Sequence, residues 1–220
     1  MSYYLNYVLN SVGAVLILIS TLGYLSNRLN WKYLNYGIVH LLYDFGAVVH
    51  ETSHAIICFF TGAKITEYKI FTKQPRVTYT EPSLPLISNA LISFAPIAGG
   101  LLTLYLINRF LLAGYFVVPT FNNWNDLPLG VWHILRQINI LHWQSWVVIL
   151  LFINVGAMMG PSYRDLINTW PIIVLLLFVR TDILMTTGLL ALALIIVNIL
   201  IQFITVTLLQ ASRLLRFDSN

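Results

Sequence analysis

The sequence predicts an all-α polytopic membrane protein of about six transmembrane helices, with a small β-hairpin after the second. Three observations predict it. Of the 220 residues only 9% are charged and 58% are hydrophobic, whereas an average soluble domain carries about 25% charged residues. The apolar residues come in blocks long enough to cross a bilayer, which takes about 17 to 25 residues of helix. One polar interval, 63–81, has the alternation of paired strands instead. The first observation excludes a soluble globular domain, and the same balance excludes disorder. The length fits a single domain over 1–220.

The first 27 residues carry no charged side chain. The basic leader of a cleavable signal peptide is therefore missing, and the first apolar block, about 8–25, is expected to stay as a span. The second span, about 36–61, is apolar at both ends but holds Asp44, His50, Glu51 and His54 at membrane depth. Residues 63–71 are rich in Ile, Thr, Tyr and Phe, Lys73-Gln74-Pro75 reads as a turn, and 76–80 place Val77 and Tyr79 on one face. This pattern predicts a hairpin at the membrane surface. A third span, 82–108, contains no Asp, Glu, Lys or Arg and tolerates Pro96 because neighbouring helices re-satisfy the freed backbone groups. The connection 109–136, with Asn122-Asn123-Trp124-Asn125 and Pro128, reads as an interfacial loop whose Trp residues suit the headgroup zone. A fourth span covers 137–163, and Gly160-Pro161 breaks it near its end. The next block, 166–179, has 14 residues and rises only about 21 Å as helix, short of the roughly 30 Å core. It is re-entrant or borrows residues from its flanks. The last block, 183–212, is ample. Six crossings are expected, with five as the alternative.

The net charge of +4 comes from Lys and Arg scattered over short connections, the ordinary result of positive-inside topology and not a nucleic-acid surface. Chemistry concentrates in His50-Glu51-Thr52-Ser53-His54. Residues four apart on a helix lie about 40° apart around the axis and about 6 Å along it, so two imidazoles can reach one zinc ion. Glu51 then points beside the metal and can reach its water, as a general base must. The bland reading, core histidines and a paired carboxylate, is disfavoured because an ionisable group at bilayer depth costs about 2.5 to 3.5 kcal/mol.

Two histidines leave a catalytic zinc one protein ligand short of the usual three. Asp165 is the best candidate, because the second and fourth spans run in the same direction and bring it to the same membrane side as His50 and His54. The alternative is a helix-end carboxylate paired with Arg164. Cys58 lies about another 6 Å along the stripe, too far to close the site. Asp44 is a candidate to orient one of the histidines. His133 and His142 fall on the opposite side with six crossings. Asn89 and Asn154 read as donors to an oxyanion or as interhelical hydrogen bonds.

A His-Glu-x-x-His motif inside a membrane helix, a strand-rich interval after it and a later aspartate near the end of another span resemble the site-2 protease family of intramembrane zinc metalloproteases. The likeness covers about 36–166. In that family two histidines and a distant aspartate hold zinc while the glutamate activates water, which maps to His50, His54, Asp165 and Glu51. The family's aspartate motif reads Asn-Pro-Asp-Gly or Leu-Asp-Gly, whereas this chain has Pro161-Ser162-Tyr163-Arg164-Asp165-Leu166, as a divergent branch would. The resemblance implies an intramembrane endopeptidase using Zn2+, with membrane-anchored proteins as substrates, the lipid bilayer as surroundings and no nucleic acid. With six crossings, the 12 Lys and Arg divide seven to five in favour of the amino-terminal side. That balance and the resemblance both turn the site of a multi-pass cell-membrane protein towards the cytoplasm. Two other readings remain open. One is a membrane-surface zinc metalloprotease whose third ligand is Glu67 or Glu81, and the other a non-catalytic membrane metal-binding or transport protein.

Overall fold

Among the described residues, three helices are long and apolar enough to cross a membrane, over Val12–Leu29, Pro85–Leu111 and Asp182–Leu208. They belong to a computed structural model that describes residues 7–8, 10–33, 38–72 and 75–217. Helix α1 spans Val12–Tyr33 and α2 spans Ile38–Thr61, followed by strands β1 (Ile65–Lys69) and β2 (Arg76–Tyr79). Helix α3 (Pro85–Leu106) runs on into a π-helical turn, Ile107–Leu111. Helices α4 (Asp126–Arg136) and α5 (Trp143–Leu151) follow, the latter continued by a second π turn, Phe152–Gly156. Helices α6 (Tyr163–Leu176) and α7 (Asp182–Phe217) come last among the described elements.

Local chemistry sets the starts. Ser11 Oγ accepts the Ala14 amide and caps α1. Pro85 occupies the first turn of α3, where no backbone donor is needed. Helix α6 opens with a reciprocal box, in which Ser162 Oγ accepts the Asp165 amide and the Asp165 carboxylate accepts the Ser162 amide.

The directions of packing follow from close approaches. Along α1, Val12 donates to the Val179 carbonyl, Gly13 lies against Leu177, and Gly23 lies against Gly160 and Pro161. Further on, Ser26 accepts from Asn198, and Asn198 also touches Gly156. The track beside α1 therefore reads backwards from residue 179 to residue 156 without a reversal. Helices α5 and α6 are two halves laid end to end, interrupted at Gly160-Pro161. The expected fourth and fifth spans, 137–163 and 166–179, are thus not an antiparallel pair. A Gly-Pro break is compatible with both outcomes, and the close fit of Gly23 on Gly160 selects continuation. Helix α7 runs parallel to α1, with Gly188 beside Val15 and Asn198 beside Ser26. Helix α2 runs parallel to α5, with Gly46 on the Asn154 backbone and His50 on Met158.

A β-carbon at Gly160 would overlap the Gly23 carbonyl oxygen. Gly160→Ala is expected to destabilise the fold by about 1 to 3 kcal/mol, read as a lowered melting temperature in detergent. An unchanged melting temperature would contradict this backbone contact.

The hairpin expected at 63–81 is present, antiparallel, pairing Ile65 with Tyr79, Tyr68 with Val77 and Lys69 with Arg76, with an irregularity between Ile65 and Glu67. In its predicted turn, Lys73 and Gln74 lie outside the described residues. The stretch 109–136, read as a loop, is irregular over 112–125 as expected, but its last part, Asp126–Arg136, forms α4. Its apolar stripe of Leu127, Val131 and Leu135 packs on the core at helical spacing, and Asp126 Oδ2 accepts the Asn122 and Asn123 amides to start it.

Candidate metal centre

His50 and His54 sit one turn apart on α2, on the face that meets α3 and the end of α5. Each ring is fixed by a backbone carbonyl from a different neighbour. His50 Nδ1 donates to the Met158 carbonyl at 2.6 Å, and His54 Nδ1 donates to the Ile92 carbonyl at 2.7 Å. A carbonyl oxygen only accepts, so both Nδ1 atoms carry hydrogen and in neutral imidazoles both Nε2 atoms present lone pairs. Those two lone pairs face each other at 3.1 Å. Without a cation between them the contact is repulsive.

Asp165 reaches the same point from the start of α6. Its Oδ2 lies 3.7 Å from His54 Nε2, and one ligand atom from each of His50, His54 and Asp165 falls within 4.8 Å of the others. Zinc bonds of about 2.0 to 2.1 Å place tetrahedral ligands about 3.3 to 3.4 Å apart, a spacing bracketed by the 3.1 Å between the two Nε2 atoms and the 3.7 Å from His54 to Asp165. The donor set therefore fits a divalent transition metal. All three residues are 7% exposed and Glu51 is 9% exposed, so a bound ion is shielded from bulk water.

The Asp165 carboxylate is also held from behind. Ser162 donates to Oδ2 twice, from its amide at 2.9 Å and its hydroxyl at 2.7 Å. The aspartate is a helix-end carboxylate, as the bland reading had it, but the side chain its Oδ2 faces is His54, at 3.7 Å, and among the described residues it makes no ion pair with Arg164. Nor does Asp44 orient His50, because the Met158 carbonyl fills that role. Cys58 is packed with Ala63 and Ile92, away from the ring nitrogens.

Among the described residues, neither Glu67 nor Glu81 joins the group. The Glu67 carboxylate is engaged on the hairpin by Arg76 at 2.8 Å and Lys69 at 2.5 Å. The Arg76 hydrogen bond first, and then that of Lys69, pull its pKa from an ordinary 4.5 down to about 2. A depressed carboxylate pKa contributes above the ordinary value and loses its contribution as pH falls through the shifted one. The hairpin ion pairs are therefore complete above about pH 4.5 and lost only near pH 2.

The hairpin closes the site. Thr52, inside the motif, shares a 2.8 Å hydrogen bond with the Tyr68 hydroxyl, which ties β1 to α2. The Thr80 amide bonds to Lys64 on the β1 side. Alternation along a strand then turns the Val77 amide to the opposite edge, where it faces the Glu51 carboxylate. Motif, hairpin and α6 enclose a cavity of about 190 Å³. Tyr79 lines it, and burial, then the neighbouring Cys58 and Asp165, push its phenol up, so it remains a hydrogen-bond donor at neutral pH. Asn168, one turn past Asp165, also borders the cavity.

The sequence reading brought His50, Glu51, His54 and Asp165 to one place, and they lie together. It missed Ser162, although Ser162 and Asp165 stand at capping-box spacing. It also missed Asn168 and the two carbonyls. Asn89 and Asn154 do not border the cavity; Asn154 bonds within its own helix to the Leu150 carbonyl. His133 and His142 lie outside the cluster. Compared with known proteins, the chain matches no family model, no curated protein and no solved structure.

Proposed function

We propose that the chain is an intramembrane zinc endopeptidase of the site-2 protease type, hydrolysing peptide bonds of membrane-anchored proteins. One observation carries the reading. Two buried imidazole Nε2 lone pairs point at each other 3.1 Å apart, with a carboxylate oxygen beside them and the motif's glutamate at the same cavity. In this reading the chain crosses the membrane five times, through α1, α2, α3, the α5 and α6 halves together, and α7. The end-to-end arrangement of α5 and α6 supports that count, and in this reading the metal site sits at the interruption, within the membrane. With five crossings the basic residues divide five to six, Arg164 aside, so charge no longer selects an orientation. The resemblance alone then turns the site towards the cytoplasm.

A zinc ion held by His50, His54 and Asp165 would supply an acidified water and a positive charge for the developing oxyanion. Glu51 accepts the proton at its carboxylate and returns it to the leaving amine. The β2 edge that carries the Val77 amide receives the substrate as an added strand, so the target segment must be unwound before its carbonyl is accessible. Tyr79 and Asn168 are placed to donate to that extended backbone.

The test uses the purified full chain in lipid nanodiscs. About one zinc per chain is expected, with cleavage of a transmembrane reporter peptide that chelation removes and added zinc restores. A preparation free of divalent metal, or cleavage indifferent to chelation, would overturn the reading.

A further inference from the structure

We infer that Arg76 and Arg164 select the substrate at the mouth of the metal cavity, so that the preferred segment carries an acidic side chain beside the cleaved bond. This rests on the hydrolytic reading and adds a substrate class to it. The cavity is graded from inside to outside. His50, Glu51, His54 and Asp165 are buried at its inner end, whereas Arg76 and Arg164, which line the same cavity, are exposed. The mouth therefore presents two guanidinium groups.

Neither group is neutralised by the acids within. The Asp165 Oδ2 is occupied by Ser162 and faces His54. Arg76 donates through Nε to Glu67, which fixes the plane of its fork and leaves its terminal nitrogens for a second acceptor. Glu67 is itself shared with Lys69. Across 63–81 and Arg164 the sequence holds five basic residues, Lys64, Lys69, Lys73, Arg76 and Arg164, against Glu67 and Glu81. Of these, Arg76 and Arg164 line the cavity, and both are exposed.

The placement sets the register. A segment added along the β2 edge, with its reacting carbonyl at Glu51 and Val77, puts its next residue about 3.3 Å along the strand, beside Arg76. A carboxylate there is held by a planar fork in charge-assisted hydrogen bonds. A lysine meets like charge, and a neutral side chain leaves the terminal nitrogens of the two guanidinium groups to solvent.

The experiment uses the full chain in nanodiscs of neutral phosphatidylcholine. Transmembrane reporter peptides differ only in carrying Glu, Gln or Lys at the positions flanking the cleaved bond. kcat/KM is measured with the wild type, and binding by fluorescence anisotropy with Glu51→Gln. Glu over Gln by about 10-fold, and Gln over Lys by a further 10-fold, is expected in both readouts. Arg164→Glu should reverse the order, and Arg164→Gln, the milder change, should flatten it while the melting temperature stays that of the wild type. Equal binding of all three peptides, or an order untouched by Arg164→Glu, overturns the inference. So does uniform stimulation of all three by phosphatidylglycerol without discrimination among them, because the guanidinium groups then serve lipid headgroups. Charge-ordered binding to Glu51→Gln with no cleavage by the wild type would uphold the selection and sink the hydrolytic reading alone.

Discussion

Glu51→Gln is expected to lower turnover of a transmembrane reporter peptide by about 10² to 10⁴-fold while the zinc content stays that of the wild type. The amide has the shape of the carboxylate, and its oxygen can still accept the Val77 amide that faces this position. What it cannot do is take a proton from water. None of the three proposed metal ligands changes, and the carbonyls that orient both rings, at Met158 and Ile92, are untouched. Turnover and metal content measured on the same sample make the comparison. Full activity in the variant would remove Glu51 from the chemistry. Under the non-catalytic metal-binding or transport reading, the substitution leaves the protein's function intact.

Asp165→Ala is expected to weaken zinc binding by more than about 100-fold, the upper end of the loss seen for groups that only support a ligand. It also removes the acceptor of both Ser162 donors and so the reciprocal half of the capping box, which costs up to about 1 kcal/mol while the Ser162 cap itself remains. Asp165→Asn separates the two effects. The amide oxygen can still accept from Ser162, so the fold should keep nearly its full melting temperature, whereas a neutral ligand leaves the metal site short of charge. Zinc titration and thermal unfolding of both variants check this. Retained tight binding in Asp165→Ala would eliminate the aspartate as third ligand.

The histidine pair and Glu51 were legible because their geometry is local: four residues of helix bring two rings to one face whatever surrounds them. Asp165 was legible through its residue type and the shared direction of two spans. The carbonyls of Met158 and Ile92 were not, since every residue offers one and only the packing of α3 and α5 on α2 decides which is used. The hairpin could be read from alternation, but its bonding to the motif through Tyr68 and Val77 depends on how far it folds back over α2. The Gly160-Pro161 interruption was plain as a break. Whether the chain then reverses or continues is decided by Gly23, in a helix well over 100 residues away, where the missing side chain lets two backbones meet. Helix α4 was overlooked because its turn-rich entry masked the stripe of Leu127, Val131 and Leu135.

The interruption between α5 and α6 also has an electrical consequence. A helix that stops presents a partial negative charge at its carbonyl end, and one that starts presents a partial positive charge, each roughly half an elementary charge. Here both poles meet within one bundle. The carbonyl pole of α5 supplies the Met158 oxygen to an imidazole N–H, and the amide pole of α6 receives the Asp165 carboxylate within its first turn. An uninterrupted rod would have offered neither pole beside these residues, so the break gives the buried site built-in dipoles that salt screens far less than it does charges at the surface.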